Sequence, residues 1–306
     1  MLYRTLGRTG FTVSEIGFGC ASYWGKPRFS ERRAIGLVHQ ALDLGVTVFD
    51  TGASYSAGEA EPRLGRALKG RDASSLVIST KAGTFHAGRG RIGRDFTPAG
   101  VVRSAEASLA NLGLDALPVL QLHGPARSDL TAELLAALAG LKARGLVRSL
   151  GLNSFDPVVL EHAIGLGVFD VMMVDYNVLR PERAPLIARA VKAGLGVLAG
   201  MPLAMGHTGL KVARIGDLQD VWYAARGLVR HRREVKAGVA FSFLHRRSDI
   251  TGSQAALAYV LGDPNVASAV IGTTRPAHLA ENVQASGVAL PADLHAQIVR
   301  TQAAVA

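Results

Sequence analysis

The sequence predicts an α/β protein built as a (β/α)8 TIM barrel, with an N-terminal β-hairpin and a long loop after strand 7. Three observations carry this reading. Short β-branched runs alternate with longer amphipathic segments, which implies right-handed βαβ units and a parallel sheet. Eight such strands follow one another, the number that closes a barrel. No second composition regime divides the chain, so residues 1–306 read as one domain, since α/β barrels run to about 250 residues or more as one unit. A doubly wound open sheet is the alternative use of the same alternation.

The elements follow in order. Residues 2–5 and 11–13, around Gly7 and Gly10, have the pattern of a small hairpin. The eight barrel strands are expected at residues 14–19, 46–51, 76–81, 118–123, 148–153, 171–176, 196–200 and 269–272. Residues 31–44 place Ile35, Val38 and Leu42 on one helical face. Residues 97–112, 129–143, 156–164, 182–193, 253–261 and 276–285 repeat that kind of pattern. Thr97 with Pro98, and Asp156 with Pro157, are capping residues followed by a first-turn proline. The connection from Met201 to about Thr251 exceeds what a compact barrel needs, and loops of that length usually serve as functional lids. Its centre, residues 217–244, is expected to carry a helix.

Composition narrows the function. Of 306 residues 48% are hydrophobic and 19% charged, a globular balance. No run approaches the ~18 uninterrupted apolar residues of a membrane helix, so no membrane partner is expected. The first ten residues carry arginines with no apolar run behind them, so no secretory leader is expected and the cytoplasm is the default location. Cys20 is the one cysteine, which excludes an intramolecular disulfide and any multi-cysteine metal site. The net charge of +10 raises the question of a nucleic-acid partner. The densest basic stretch, residues 226–247, is interleaved with Val239, Phe241 and Phe243, and no recognition motif accompanies it; no nucleic-acid partner is expected.

In a barrel of this type the site lies at the C-terminal strand ends. Those ends carry Asp50 with Tyr55 in the loop beyond, Lys81, His123, Asn153 with Ser154, and Asp175, Tyr176 and Asn177. Singly, each has an ordinary structural reading. Together, an aspartate, a lysine, a tyrosine and a histidine at one mouth suit proton donation to a carbonyl. The lysine favours the phenolate, the aspartate keeps the lysine charged, and the histidine can hydrogen-bond the carbonyl oxygen. The segment GRGRIG at 88–93 fits G-x-G-x-x-G but does not open a helix directly after a strand. It reads as a flexible basic loop rather than a dinucleotide fingerprint.

These residues carry a resemblance over nearly the whole chain. GVTVFDTGASY with EPRLGRALKG, VISTKAG, the segment 95–125 ending in LQLHGP, GLNSF at 151–155, and SAVIGTTRPAHLAENVQA together resemble the aldo/keto reductase family. The resemblance implies an oxidoreductase moving a hydride between NADP(H), with NAD(H) possible, and the carbonyl or alcohol carbon of a small aldehyde, ketone or sugar. It implies Tyr55 as general acid/base, Lys81 tuning it, Asp50 holding Lys81, and His123 positioning the carbonyl, with no metal. Asn153 and Ser154 stand where the family holds the carboxamide, and Pro202, Leu203 and Gly206 where it wraps the pyrophosphate. Gly272, Thr273 and Thr274 stand at the adenosine-side phosphate, Arg275 and His278 at a 2′-phosphate, and Glu281 and Asn282 at adenine. Trp24, His86, Met201 and Trp222 are candidates for the substrate wall.

Three departures from the family pattern concern the nicotinamide. Asn153 precedes Ser154 where the family orders them the other way; Met173 stands in place of a glutamine; Gly200 stands in place of a stacking tyrosine. Met201, Trp222 and Tyr223 are the candidates to cover the ring instead. The alternative function is a cofactor-binding sensor or regulatory barrel with little turnover. Schiff-base aldol chemistry at Lys81 is disfavoured, because Asp50 would keep that lysine charged. A hydrolytic metal barrel is disfavoured because no His-x-His or acidic cluster ends a strand.

Overall fold

The computed structural model describes residues 1–206, 208 and 237–305. The chain opens with β1 (Tyr3–Thr5) and β2 (Thr12–Ser14), an antiparallel pair. The barrel strands are β3 (Ile16–Gly19), β4 (Val48–Asp50), β5 (Val77–Ala82), β8 (Leu117–His123), β9 (Val147–Asn153), β10 (Val171–Asp175), β11 (Gly196–Gly200) and β12 (Ser268–Ile271). They pair in parallel and close with β12 beside β3. The open-sheet alternative is thereby excluded. Between β5 and β8 stand two further strands, β6 (Thr84–His86) and β7 (Ile92–Arg94), which form an antiparallel hairpin of their own.

The described helices are α1 (Glu31–Asp43), α2 (Ala60–Leu68), α3 (Pro98–Leu112), α4 (Ala132–Ala143), α5 (Pro157–Leu166), α6 (Ala184–Lys192), α7 (Gly252–Leu261), α8 (Pro276–Val283) and α9 (Ala292–Val305). The caps read from sequence are present. Thr97 accepts a hydrogen bond from the Gly100 N–H ahead of Pro98, and Asp156 accepts one from Val158 ahead of Pro157. Each satisfies a backbone donor that the first helical turn cannot. Two helices have no counterpart in the periodicity reading. α2 is only nine residues long and has Pro62 near its start, yet Ala60, Leu64, Ala67 and Leu68 bury one face. α9 buries only Leu294 and Ile298 of its 14 residues.

The barrel interior is graded along its axis. At the lower end Val48, Val77, Val119, Val171 and Leu198 form an apolar cluster with Leu6 and Val13 of the N-terminal segment. That hairpin plugs the bottom. Above it the same strands turn polar: Asp50, Ser79 and Gln121 are buried at or near zero exposure and bonded to one another. Strand register then brings Asp50 beside Ser79, Lys81 beside Gln121, and His123 beside Asn153. The polar end is the C-terminal end, as a barrel site requires. No described helix is long and apolar enough to cross a membrane.

Candidate active site

The buried pair at the centre is Lys81 and Asp50. Lys81 is the next-to-last residue of β5 and is fully buried; its Nζ lies 2.5 Å from Asp50 Oδ2 and donates to the Thr51 carbonyl at 2.8 Å. Ser79 donates to the other carboxylate oxygen at 3.1 Å, and Gln121 braces Ser79 at 2.6 Å. Burial alone would discharge the lysine, but Asp50 and then Tyr55 outweigh it and hold the ammonium above its ordinary value. Burial likewise pushes the Asp50 carboxyl up, against the pull of Lys81 and Ser79. A charged lysine here therefore depends on its neighbours, and both face it directly.

Tyr55 follows from the loop after β4. Its ring lies beneath the Lys81 ammonium, 4.8 Å from Nζ to the ring centroid, and a hydrogen bond joins the two side chains. The chain after Tyr55 is strained: Ser56 and Ala57 have φ of 54° and 64°, the left-handed region. Such a conformation costs an L-residue about 1–2 kcal/mol. Ala57 is exposed and packs little, so Ala57→Gly should raise stability by up to about 1 kcal/mol after the entropy of glycine is counted. Thermal unfolding checks this; a lower Tm would show that the turn is not strained.

His123 closes β8, its ring edge-on to Tyr55 with centroids 5.3 Å apart. Burial, with Lys81 and Arg94 nearby, pushes its pKa down to about 3, so the ring is neutral at physiological pH. Its Nδ1 lies 2.6 Å from the Thr84 hydroxyl, which lies 3.0 Å from the Ser54 hydroxyl. Arg94, on the opposite strand of the hairpin, donates to the Gly124 carbonyl at 2.9 Å and ties the hairpin over the loop after β8. Thr84, Ser54 and Arg94 were not candidates from the sequence. A hydroxyl carries no periodic signal, and the only cue for Thr84 was its place three residues after Lys81.

The hairpin corrects the reading of residues 88–93. The glycine-rich segment is the turn and the start of β7, with Ala87 and Arg91 paired through the backbone at 2.9 Å. His86 is half-buried and, by strand alternation, shares the face of Thr84, which looks toward His123.

Trp24 is a correction. It is 1% exposed, its indole N–H donates to the Ala34 carbonyl at 3.2 Å, and its ring packs edge-on against Phe18. Arg63, itself buried, donates to the carbonyls of Trp24 and Phe29. Trp24 anchors the loop after β3 instead of lining the mouth. Trp222, Tyr223 and most of the segment expected to fold as a helix lie outside the described residues.

Other strand-end polar groups are committed elsewhere. Asp175 is ion-paired with Arg183 at 2.9 Å, and Tyr176 packs on Tyr259. Asn177 donates to the Met201 carbonyl at 3.0 Å and so holds the loop after β11. Met201 has φ of 51° and is half-buried there; Pro202 is buried, Leu203 half-buried and Gly206 exposed. Beside Gly200, the nearest side chain to the space a Cβ would open is Met173, with Cγ at 3.5 Å and Sδ at 3.8 Å. Met173 and Gly200, two of the three departures in sequence, are thus neighbours. Asn153 and Ser154 are buried next to them, and the Ser154 hydroxyl accepts from the Asp156 N–H.

Residues 272–282, expected from the sequence on the adenosine side, lie before and within α8. Gly272 is exposed, with only the Gly19 carbonyl oxygen within 4 Å of where a Cβ would stand. Thr273 accepts from the Arg275 N–H at 3.1 Å, Thr274 is buried, and Arg275 sits at the N-cap with His278 one turn on. Glu281 accepts from Thr251 Oγ1 at 2.6 Å, and Asn282 is buried. An open glycine backbone and basic side chains at a helix N-terminus suit a phosphate-bearing nucleotide.

Comparison with known proteins identifies the family. The model of the aldo/keto reductase family matches residues 15–303, and the chain belongs to that family. It is an NAD(P)H-dependent oxidoreductase. It is 28% identical to a D-threo-aldose 1-dehydrogenase of a Pseudomonas species, over 96% of this chain and 95% of that protein. It is 25% identical to an NADH-specific methylglyoxal reductase of Escherichia coli, over 97% of each. Among solved structures, the holo form of an aldo-keto reductase from Bacillus halodurans matches with a TM-score of 0.81 and 27% identity, covering 98% of this chain and 96% of that one.

Proposed function

We propose that the protein reduces a small aldehyde, ketone or sugar carbonyl with Tyr55 as the proton donor, and that it prefers NADPH. The observation that carries the reading is the placement of the Lys81 ammonium between the Asp50 carboxylate and the Tyr55 ring. A cation held against a phenol favours its phenolate, so Tyr55 gives up its proton more readily than an isolated tyrosine. Asp50 keeps the lysine charged after the phenol has lost its proton. The neutral His123 ring stands beside Tyr55 and can hydrogen-bond the same carbonyl oxygen without competing for the proton.

The nicotinamide cofactor, when bound, supplies the hydride. The residues that would hold it are Asn153 and Ser154, the 202–206 loop, and residues 272–282. Arg275 and His278 carry the expectation for NADPH. A charge-assisted hydrogen bond to a 2′-phosphate is worth roughly 1.5–3 kcal/mol, about a 10- to 150-fold preference. Titration should show that preference in the native chain and its loss in Arg275→Ala, with NADH affinity unchanged. Equal affinities in the native chain would mean that Arg275 faces another group. The activity itself is tested by following NADPH consumption across carbonyls, and NADP reduction across sugars and alcohols. Failure on every member of both panels, despite tight NADPH binding, would favour a sensor.

A further inference from the structure

The proton between Lys81 and Asp50 has two places to sit. On Lys81 Nζ it leaves an ammonium facing a carboxylate. Moved to Asp50 Oδ2 it leaves a neutral pair, which a buried site favours because burial penalises both charges. Only the charged form favours the Tyr55 phenolate. We propose that Ser79 and Gln121 are positioning residues that keep Asp50 a carboxylate, and so Lys81 an ammonium, while Tyr55 passes between phenol and phenolate. The proposal rests on the reading of Tyr55 as the acid.

Three adjacent strands, β4, β5 and β8, meet at the carboxylate. Lys81 takes Oδ2. Ser79 donates to Oδ1 at 3.1 Å, and Gln121 Nε2 reaches both Ser79 Oγ at 2.6 Å and Oδ1 at 3.4 Å. Ser79 and Gln121 are both at 0% exposure, so no solvent competes for these bonds. Every hydrogen in the set points the same way. The two amide hydrogens go to Ser79 and to Asp50. Because the Ser79 oxygen already accepts from the amide, its own hydrogen is left for Asp50. Bonds to an ionised acceptor are about twice as strong as bonds to a neutral one, so both donors weigh toward the carboxylate. A proton on Oδ1 would meet two donors and no acceptor.

The amide is held in this sense at a cost. Gln121 Oε1 is buried and has no hydrogen-bond partner among the described residues. Turned over, the amide would set Oε1 against Ser79 and draw the Ser79 hydrogen away from Asp50. Its N–H groups would then lose the two acceptors they now have, and buried unmet donors are the more costly defect. The orientation found leaves one acceptor unmet and aims both hydrogens at the carboxylate and its serine. The neighbouring strand makes room for it. Gly151 of β9 lies opposite Gln121, and a Cβ there would lie 2.7 Å from Gln121 Cγ.

Among the described residues, the other titratable groups around the pair are fixed in charge or committed elsewhere. Cys20 follows β3, and its backbone N–H donates to the Asp50 carbonyl at 2.7 Å; burial holds its side chain as the thiol. His123 of β8 is neutral. On the hairpin, Arg94 is paired with Asp129, and His86 lies two residues beyond Thr84. Glu61 of α2 lies behind β5, where the hydroxyls of Thr80 and Ser108 donate to it. The strands β3, β11 and β12 carry no titratable side chain. Arg148 of β9 packs on Phe11, and Asp175 of β10 pairs with Arg183. The charge of the pair is therefore set where Ser79 and Gln121 touch it.

The test follows Asp50 and Tyr55 separately. In the double variant Ser79→Ala/Gln121→Met, Asp50 Oδ1 loses both donors while the side-chain volumes stay close. Infrared spectra of the full-length chain at neutral pH should show no protonated-carboxyl band for Asp50 in the native protein. The double variant should show one, assigned by its disappearance on adding Asp50→Asn. In NADP-dependent alcohol oxidation, where Tyr55 acts as the base, the apparent pKa of the rate profile should rise by about one unit in the double variant. That is about 10-fold slower oxidation below the pKa, with the plateau at high pH retained. A merely structural role would lower the rate at every pH and leave the pKa in place. That result overturns the proposal, as does a double variant without the carboxyl band. If the double variant fails to fold, Ser79→Ala decides: it removes one oxygen, adds no volume and should move the profile the same way by less, and an unmoved profile overturns the proposal. If the native chain oxidises no alcohol, the functional reading fails and the infrared comparison still decides the state of the pair. The carboxyl band in the double variant alongside full oxidation by Tyr55→Phe would uphold the role of Ser79 and Gln121 at Asp50 and overturn the reading of Tyr55.

Discussion

Tyr55→Phe is expected to lower the rate of carbonyl reduction by at least about 100-fold, the contribution of a positioned general acid, while NADPH affinity barely changes. The substitution removes one oxygen and its proton. The ring stays to pack edge-on against His123 and beneath the Lys81 ammonium. A structural loss would therefore be small, and the effect should fall on kcat rather than on cofactor binding. Steady-state rates with a fluorescence titration of NADPH separate the two. Near-native turnover would remove Tyr55 from the role of acid, and the edge-on histidine would be the next group to test.

Lys81→Met is expected to act on both stability and activity, and on stability more than any other single change in the site. Lys81 and Asp50 form an ion pair in which both side chains are buried. Removing one partner of such a pair typically costs about 3–5 kcal/mol, because the remaining charge is left without compensation. The pH dependence gives the sign. With the ammonium gone, burial raises the Asp50 carboxyl far above its unfolded value, since burial is already the largest influence on it. The unfolded chain then ionises first as pH rises, so the variant loses stability from the ordinary carboxylate range upward and recovers it as pH falls. Urea unfolding of Lys81→Met at several pH values checks this. Adding Asp50→Asn should restore much of the stability at neutral pH and none of the activity. A variant that stays as stable as the native chain at neutral pH would show that the pair is not buried as described.

Much of this was legible in the chain. The barrel was visible because parallel strands buried on both sides read as apolar runs, and because Thr97–Pro98 and Asp156–Pro157 mark helix starts by local chemistry. Asp50, Lys81 and His123 were visible because strand ends set them at one rim. What was hidden depends on contacts between distant segments. Trp24 looks the same in sequence whether it lines a pocket or, as here, donates to Ala34 and anchors a loop. The 88–93 glycines suggest a loop, but Phe85 covers Gly93 across a hairpin too short to show alternation. Thr84 and Ser54 stand 30 residues apart and meet only when the hairpin folds over β8. Likewise, Met173 and Gly200 are separate departures in sequence and neighbours in the barrel.

The most direct measurement of the central claim is hydride transfer itself. The native chain is incubated with NADPH carrying deuterium at the transferred position of C4 and with a panel of small aldehydes, ketones and sugars, and the products are read by mass spectrometry. The expected result is deuterium bound to the new carbinol carbon of at least one substrate, formed at least about 100-fold more slowly by Tyr55→Phe. Tight binding of the labelled cofactor with no deuterium in any product, or equal labelling by both proteins, would contradict a reductase that uses Tyr55 as its acid.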